Sequence, residues 1–337
     1  MKEFKILAVV AFFTLVTYWG VEPFAHSQMH KHVESNNFSY DGKADIEEAS
    51  KAIEVAKNIT DANKKAKVLD AANKKLADKK AFWAEVSQVS KLKGNAAAGE
   101  ASFAACMACH NGSGANMGGV IPPKLDNAGS LYDKNYLIAL IKDPAMASNV
   151  DHKYDNTMMH PMGTVKTMIT APQQIADVVE FIKTKKVVKL TPQVAFEDAC
   201  GRCHANRYGN LTQLGTTPKF KTEQEALTHR VKVLDEQDKI KAYMGKLPPD
   251  LSIIDRARSA NFMETFIQDP QSQLPGTSMP RVGLSKDGYA MVQAYLEKTG
   301  DPSKEARHAL GPWVIVFFII FTMLAYLWKK SQWKDLH

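Results

Sequence analysis

Two short stretches decide what this sequence can fold around: Cys106-Met107-Ala108-Cys109-His110 and Cys200-Gly201-Arg202-Cys203-His204. Together they contain all four cysteines of the 337-residue chain. A Cys-x-x-Cys-His sequence is typical of c-type haem attachment, in which both thiols form thioethers with the haem vinyl groups. The histidine that follows the second cysteine, His110 or His204, is placed to ligate the iron. The sequence therefore predicts two covalently bound haem c groups.

Other uses of these cysteines fit less well. A four-cysteine zinc site would leave both motif histidines idle, and a thioredoxin-like pair needs no histidine. Charged residues make up 23% of the chain and hydrophobic residues 45%, which is a globular composition. The net charge is +7, but lysines alternate with acidic residues, and no basic block with stacking aromatics occurs. We therefore expect no nucleic-acid partner.

An apolar run lies near each end of the chain, at residues 6–21 and 310–328. We predict membrane anchors at residues 1–22 and 310–330, in contact with lipid. Lysines lie at the outer ends of both runs, so the positive-inside rule places both termini in the cytoplasm of a bacterium. The region between the anchors would then lie on the periplasmic side of the inner membrane. A cleaved signal peptide is the alternative for the first run, although no small-x-small cleavage site follows it.

The region between the anchors divides into a helical arm and an internal repeat. Residues 23–93 have apolar residues at helical spacing and predict a helical hairpin or one long helix. Residues 94–190 and 191–303 each begin with a haem motif and later carry an Asp-Pro pair, at Pro144 and Pro270, that should end a helix. The fold class is therefore all-α, with two tandem haem domains. The second copy has an insert at 205–260, where Ser252 with Asp255 predicts a helix start.

The second iron ligand of each haem should come from a loop before the last helix of its domain. Methionine is the common partner of histidine and raises the potential. Met279 occupies such a loop in the second domain. In the first domain the spacing back from Thr170, taken as the cap of the last helix, selects Met162, with Met159 and His160 as alternatives. A further histidine cluster, His26, His30 and His32, is expected to be a solvated surface group rather than a metal site.

The two copies resemble class I cytochrome c domains. The stretch Pro248-Pro249-Asp250-Leu251-Ser252 and the lysine-flanked C-terminal anchor resemble cytochrome c1 of the cytochrome bc1 complex. The whole chain is similar to the di-haem cytochrome c1 of Campylobacter-like bacteria. This resemblance implies an electron-transfer subunit, with no catalysis of its own, of a quinol–cytochrome c reductase. It implies a cytochrome b subunit and a Rieske iron–sulfur protein as partners, and a soluble cytochrome c or terminal oxidase as acceptor. It also makes Arg256 and Arg258 candidates to pair with haem propionates.

Two other functions are compatible with haem attachment at the periplasmic face. One is a di-haem cytochrome c subunit of a haem–copper terminal oxidase. The other is a di-haem peroxidase, which needs one iron with an open coordination position. Because each domain offers a methionine, the peroxidase is the weaker alternative.

Overall fold

A computed structural model of the chain describes residues 2–29, 38–112, 120–185 and 190–334. This part is mostly helical with almost no strand, and an apolar helix lies at each end, which confirms the predicted fold class. In chain order the helices are α1 (Lys2–Val16), α2 (Glu22–Met29), α3 (Lys43–Lys57), α4 (Ala62–Ser90), α5 (Ala96–Phe103), α6 (Ala128–Leu131), α7 (Lys134–Lys142), α8 (Pro144–Ala147), α9 (Val165–Met168), α10 (Pro172–Thr184), α11 (Pro192–Ala199), α12 (Glu223–Met244), α13 (Ile254–Ala257), α14 (Ala260–Gln268), α15 (Pro270–Gln273), α16 (Lys286–Gly300) and α17 (Lys304–Gln332). A π-helical turn, Thr17–Val21, joins α1 to α2, and β1 (Leu211–Thr212) pairs antiparallel with β2 (Gly215–Thr216).

The two copies share one order of helices. A short helix, α5 or α11, leads into each haem motif, and the last helix of the copy, α10 or α16, packs against it. Between them, α7 and α14 end just before an aspartate in extended conformation, and proline begins the next helix. The proline ring disfavours helical geometry at the preceding residue and lacks an N–H to continue the ladder.

The arm is a hairpin of α3 and α4. Asp61 caps α4, because its carboxylate accepts a hydrogen bond of 2.9 Å from the Lys64 N–H. The C-terminal half of α4 packs against α7 and α10 of the first haem domain. Four of its apolar side chains are buried there, namely Phe82, Trp83, Val86 and Val89. The apolar core of the first domain therefore includes part of the arm.

A junction segment, residues 281–285, joins the two copies. It lies in the second domain after Met279 and runs against residues 131–133 of the first. The Ser285 N–H donates to the Leu131 carbonyl, and the Asp133 N–H donates to the Gly283 carbonyl, both at 2.9 Å. These bonds satisfy backbone groups of both domains across the contact.

Two stretches are long and apolar enough to cross a membrane, at residues 3–25 and Lys304–Gln332. The most apolar part of each stretch is exposed in the protein, as expected for a surface that faces lipid. Glu3, near the start of the first stretch, forms an ion pair with Lys329, near the end of the second. The two terminal ends therefore lie side by side.

Two predicted helix caps are wrong. Ala171 occupies the cap position of α10, which begins at Pro172, so Thr170 does not cap it. Proline is favoured at the first position of a helix, because its fixed φ suits the first turn and its missing N–H needs no partner. Ser252 does not cap a helix either, since its hydroxyl accepts a hydrogen bond of 3.1 Å from the Tyr208 N–H. Helix α13 instead begins at Ile254.

Candidate haem sites

The two motif histidines are held in the same way. His110 Nδ1 lies 2.7 Å from the Pro123 carbonyl oxygen, and His204 Nδ1 lies 2.8 Å from the Pro249 carbonyl oxygen. A carbonyl only accepts hydrogen bonds, so the ring proton lies on Nδ1 and leaves the Nε2 lone pair available. Burial lowers the pKa of both imidazoles, which keeps them neutral. A neutral imidazole with free Nε2 is the form that ligates iron.

The carbonyl that orients each histidine belongs to a repeated Pro-Pro-x-Leu pattern, at residues 122–125 and 248–251. The resemblance to cytochrome c1 concerns only the second copy of this pattern. The first copy lies 13 residues after its histidine and the second 45 residues after, because β1, β2 and α12 intervene. The pattern thus serves both domains, and comparing the two copies with each other would have found it.

The cysteines of both motifs share one turn geometry. The N–H of His110 donates to the Cys106 carbonyl and that of His204 to the Cys200 carbonyl, each at 2.9 Å. No disulfide joins the four cysteines, all of which lie in described parts of the chain. Burial raises the pKa of the Cys200 thiol to about 12 and also raises that of Cys106. Each motif therefore offers two thiols and one neutral imidazole on a single turn, which is the donor set that haem c requires.

The proposed axial methionines occupy half-buried positions in loops before the last helices. The Met279 N–H donates to Thr277 Oγ1 at 3.2 Å, and the Met162 N–H donates to His160 Nδ1 at 3.0 Å. Because Nδ1 of His160 accepts, its neutral ring carries the proton on Nε2 and offers no free lone pair there. Burial lowers the pKa of His160 to about 4, so this ring stays neutral. His160 thus orients the loop, which favours Met162 over His160 as the ligand.

Met159 differs from Met162 in its surroundings. It ends a 3-10 turn, Thr157–Met159, and its side chain is 63% exposed. The Met158 N–H also donates a hydrogen bond to the Asn156 side chain. Along the chain, however, Met158 lies farther from α10 than Met162 does. Both Met162 and Met279 stay predictions as iron ligands.

Buried polar atoms without a partner test the fit of a haem near the second motif. Among the described residues, Arg202 Nε, Tyr295 OH and Gln268 Oε1 are buried and make no hydrogen bond within the protein. An unsatisfied buried donor is costly, and a guanidinium pairs well with a carboxylate such as a haem propionate. Together with the thiols and the neutral histidines, Arg202 makes these residues a fitting site for haem c.

The first haem motif and the second lie close to the same domain contact. Tyr132 of the first domain donates its hydroxyl proton to the carbonyl of Asp198, two residues before Cys200, at 3.3 Å. Burial lowers the pKa of His110, and the nearby Arg202 charge, inside the second motif, lowers it further. Tyr154 and Tyr243 connect the domains a second time, with their hydroxyl oxygens 2.5 Å apart.

Other predicted site residues have different partners. Arg256 donates to Asp301 at 2.8 Å, and the Arg258 guanidinium lies 5.1 Å from the Phe262 ring centre. Arg256 therefore pairs with Asp301, whereas the resemblance implied a haem propionate as its partner. His30 and His32 lie outside the described residues.

Comparisons with known proteins agree with the local geometry. Residues 96–186 match the family model described as cytochrome c. A cytochrome c1 from Allochromatium vinosum is 25% identical over 202 residues, covering 42% of this chain and 82% of that protein. The ammonia monooxygenase gamma subunit of Nitrosomonas europaea is 28% identical over 133 residues, covering 28% of this chain and 57% of that protein. A chain of a hyperthermophilic respiratory Complex III is 24% identical, with a TM-score of 0.35 and coverage of 43% and 75%.

The first haem motif thus lies in the part of the chain that matches the cytochrome c family, whose members bind haem c covalently and transfer electrons. The similarity to cytochrome c1 is distant, at 25% identity over 42% of this chain.

Proposed function

We propose that this chain is a di-haem electron-transfer subunit of a quinol–cytochrome c reductase. The observation that carries the proposal is the repeated histidine arrangement. His110 and His204 lie on equivalent turns, and an equivalent proline carbonyl orients each ring. A second domain that reproduces the ligand geometry of the first is expected to bind the same group. Two haem c groups, attached at Cys106 and Cys109 and at Cys200 and Cys203, follow from it.

The relation to cytochrome c1 supports the choice of complex. The aligned region covers 82% of the A. vinosum cytochrome c1, although only 42% of this chain. By analogy, the partners are a cytochrome b subunit and a Rieske iron–sulfur protein as donor. The acceptor is a soluble cytochrome c or a terminal oxidase.

The placement in the membrane rests on the two apolar helices. The ion pair of Glu3 with Lys329 supports termini on one side, and the lysines near both ends favour the cytoplasm. The haem domains then lie at the periplasmic face of the bacterial inner membrane. A domain tethered this way stays close to a membrane-bound donor.

The protein's own contribution to electron transfer is to hold and orient. A haem, when bound, supplies a one-electron iron couple whose potential the axial ligands tune. The proline carbonyls fix the histidine rings, and the loops around Met162 and Met279 present thioether sulfurs. Arg202, inside the second motif, supplies positive charge near His110. No side chain needs to make or break a bond during turnover.

Purification from native membranes tests the proposed complex. The detergent-solubilised chain should copurify with a b-type cytochrome and an iron–sulfur protein. Copurification with copper-containing oxidase subunits alone would instead establish the oxidase-subunit function. A pyridine haemochrome assay should give two haems per chain that resist acid–acetone extraction, and one haem per chain would refute the di-haem proposal.

A further inference from the structure

Each copy of the repeat carries a buried aspartate that is not a haem ligand. Asp143 follows α7, and Asp269 follows α14 at the equivalent place in the second copy. Both side chains are buried. Each accepts a hydrogen bond from a cation in the segment that carries the proposed axial methionine of its domain (the methionine loops, residues 157–166 and 277–281). Lys166 Nζ lies 2.5 Å from Asp143 Oδ2, and an Arg281 terminal nitrogen lies 2.8 Å from Asp269 Oδ1. Lys166 follows Met162 by four positions, and Arg281 follows Met279 by two.

We propose that Asp143 and Asp269 are positioning residues for the axial-methionine loops, and that Asp45 of the arm is a third such residue, acting on the second loop. This inference rests on the proposed ligation by Met162 and Met279. Each aspartate holds its loop through a cation and so sets how firmly the methionine sulfur is presented to the iron.

In the first domain the tether spans the whole loop. Lys166 also donates to Thr157 Oγ1 at 2.7 Å, so its ammonium joins the two ends of the segment around Met162. Asp143 Oδ1 meanwhile accepts from the Met146 N–H at 3.2 Å and caps α8. The loop is thereby connected to α7 and α8, the two helices on either side of Asp143.

In the second domain the tether is completely buried. The Arg281 side chain is 1% exposed, and its guanidinium reaches Asp45 at 2.6 and 3.3 Å as well as Asp269. Its Nε donates to the Gln268 carbonyl at 3.1 Å. Its backbone is fixed too, since its carbonyl accepts from the Tyr136 hydroxyl at 2.7 Å. Every polar part of the residue two positions beyond Met279 is therefore held.

Asp45 brings the arm into this network. Its carboxylate accepts from Trp83 Nε1 at 2.8 Å and lies 3.8 Å from Lys79 Nζ. Burial alone would raise the pKa of Asp45, but the charges of Arg281 and Lys79 outweigh it and hold the pKa below its usual value. Asp45 and Asp269 share the neutralisation of Arg281, so removing either one leaves an excess of positive charge in a buried network. The second methionine loop is thus fixed by a residue 236 positions earlier in the chain.

The tether matters because the methionine thioether favours ferrous iron and raises the potential. A loop that is free to move binds its methionine less firmly, and the potential of that haem falls. The first pair should act only on the first haem. Asp45 and Asp269 should act only on the second.

The test compares Asp143→Asn, Asp269→Asn and Asp45→Asn in the full detergent-solubilised chain. Redox titration gives the potential of each haem, and the methionine–iron charge-transfer band reports ligation. We expect a change of about tenfold in the reduction equilibrium of one haem, which for one electron is about 59 mV. Asp143→Asn should lower the potential of the first haem, and the other two variants should lower that of the second. Asp41→Asn, in the pair of the half-buried Asp41 with the exposed Lys43, is the matched control and should change neither.

The outcomes separate the tether from the ligands. Met162→Ala and Met279→Ala assign the band of each haem, and a band that survives the loss of its methionine would show that the ligand proposal failed. Intact bands and unchanged potentials in all three aspartate variants would overturn the tether alone, as would equal shifts at both haems. If Asp45→Asn prevents haem incorporation, Trp83→Phe removes one bond to Asp45 and should give a smaller shift of the second haem only.

Discussion

Replacing Gly283 with alanine should destabilise the contact between the two domains. Gly283 lies in the junction segment with φ +78°, a left-handed conformation that alanine adopts at a cost. An added Cβ would lie 1.9 Å from Cδ1 of Tyr136. Tyr136 is 4% exposed and its hydroxyl is bonded to the Arg281 carbonyl, so the ring cannot move aside without losing that bond.

The expected cost has three parts. The left-handed backbone costs alanine about 1–2 kcal/mol. Overpacking against the buried Tyr136 ring adds about 1–3 kcal/mol. The reduced freedom of the unfolded chain offsets about 0.4–1 kcal/mol. The free energy of unfolding should therefore fall by about 1–5 kcal/mol in Gly283→Ala, and by about 3 kcal/mol at the middle of these ranges.

Gly215→Ala is the matched control. Gly215 also has a left-handed φ, +93°, but an added Cβ there would have no neighbour within 4 Å. It should lose only the backbone part, about 1 kcal/mol. Denaturant titration of both detergent-solubilised variants, followed by circular dichroism, measures the difference. If the two variants lose equal stability, the packing of Tyr136 against the junction segment is not what the structure indicates.

Three further predictions follow from the sites and their links. Met279→Ala should abolish the methionine–iron band of the second haem and Met162→Ala that of the first; a first-haem band that survives the latter change would return Met159 to consideration. Asp301→Ala removes the shared partner of Arg256 and of Arg307 at the start of α17, so hydrogen exchange there should accelerate, whereas an unchanged rate would mean that the link is unimportant. The depressed pKa of Asp45 stabilises the fold above its unfolded-state value of about 3.9, and the contribution is lost as pH falls through the folded-state pKa. The stability gap between the wild-type chain and Asp45→Asn should therefore shrink on acidification below about pH 4, and a constant gap would contradict this account.

The parts of the fold that local rules govern were predictable. Asp-Pro pairs ended α7 and α14 at the expected positions. Helical periodicity found the buried face of α4, including Phe82 and Trp83. These outcomes depend on proline geometry and spacing along one helix, which are both properties of neighbouring residues.

The parts that depend on distant contacts were not predictable in the same way. The helix-cap expectation at Thr170 failed for a local reason, because α10 begins one residue later, at Pro172, and Ala171 occupies the cap position. The pairing of Arg281 with Asp45 joins residues far apart in sequence, and neither residue stands in a motif. The Pro123 carbonyl that orients His110 was missed for a different reason. It is a backbone group, and only the repeated Pro-Pro-x-Leu pattern identifies it.

The second methionine loop and the domain junction are one continuous stretch of chain. Met279 begins it, Arg281 fixes it to the arm, and the segment as far as Ser285 pairs with the first domain. Separating the two domains would therefore also disturb the loop that presents the Met279 sulfur. If each domain binds a haem as we propose, the shared loop makes the ligation of the second haem and the spacing between the two haems parts of the same structural constraint.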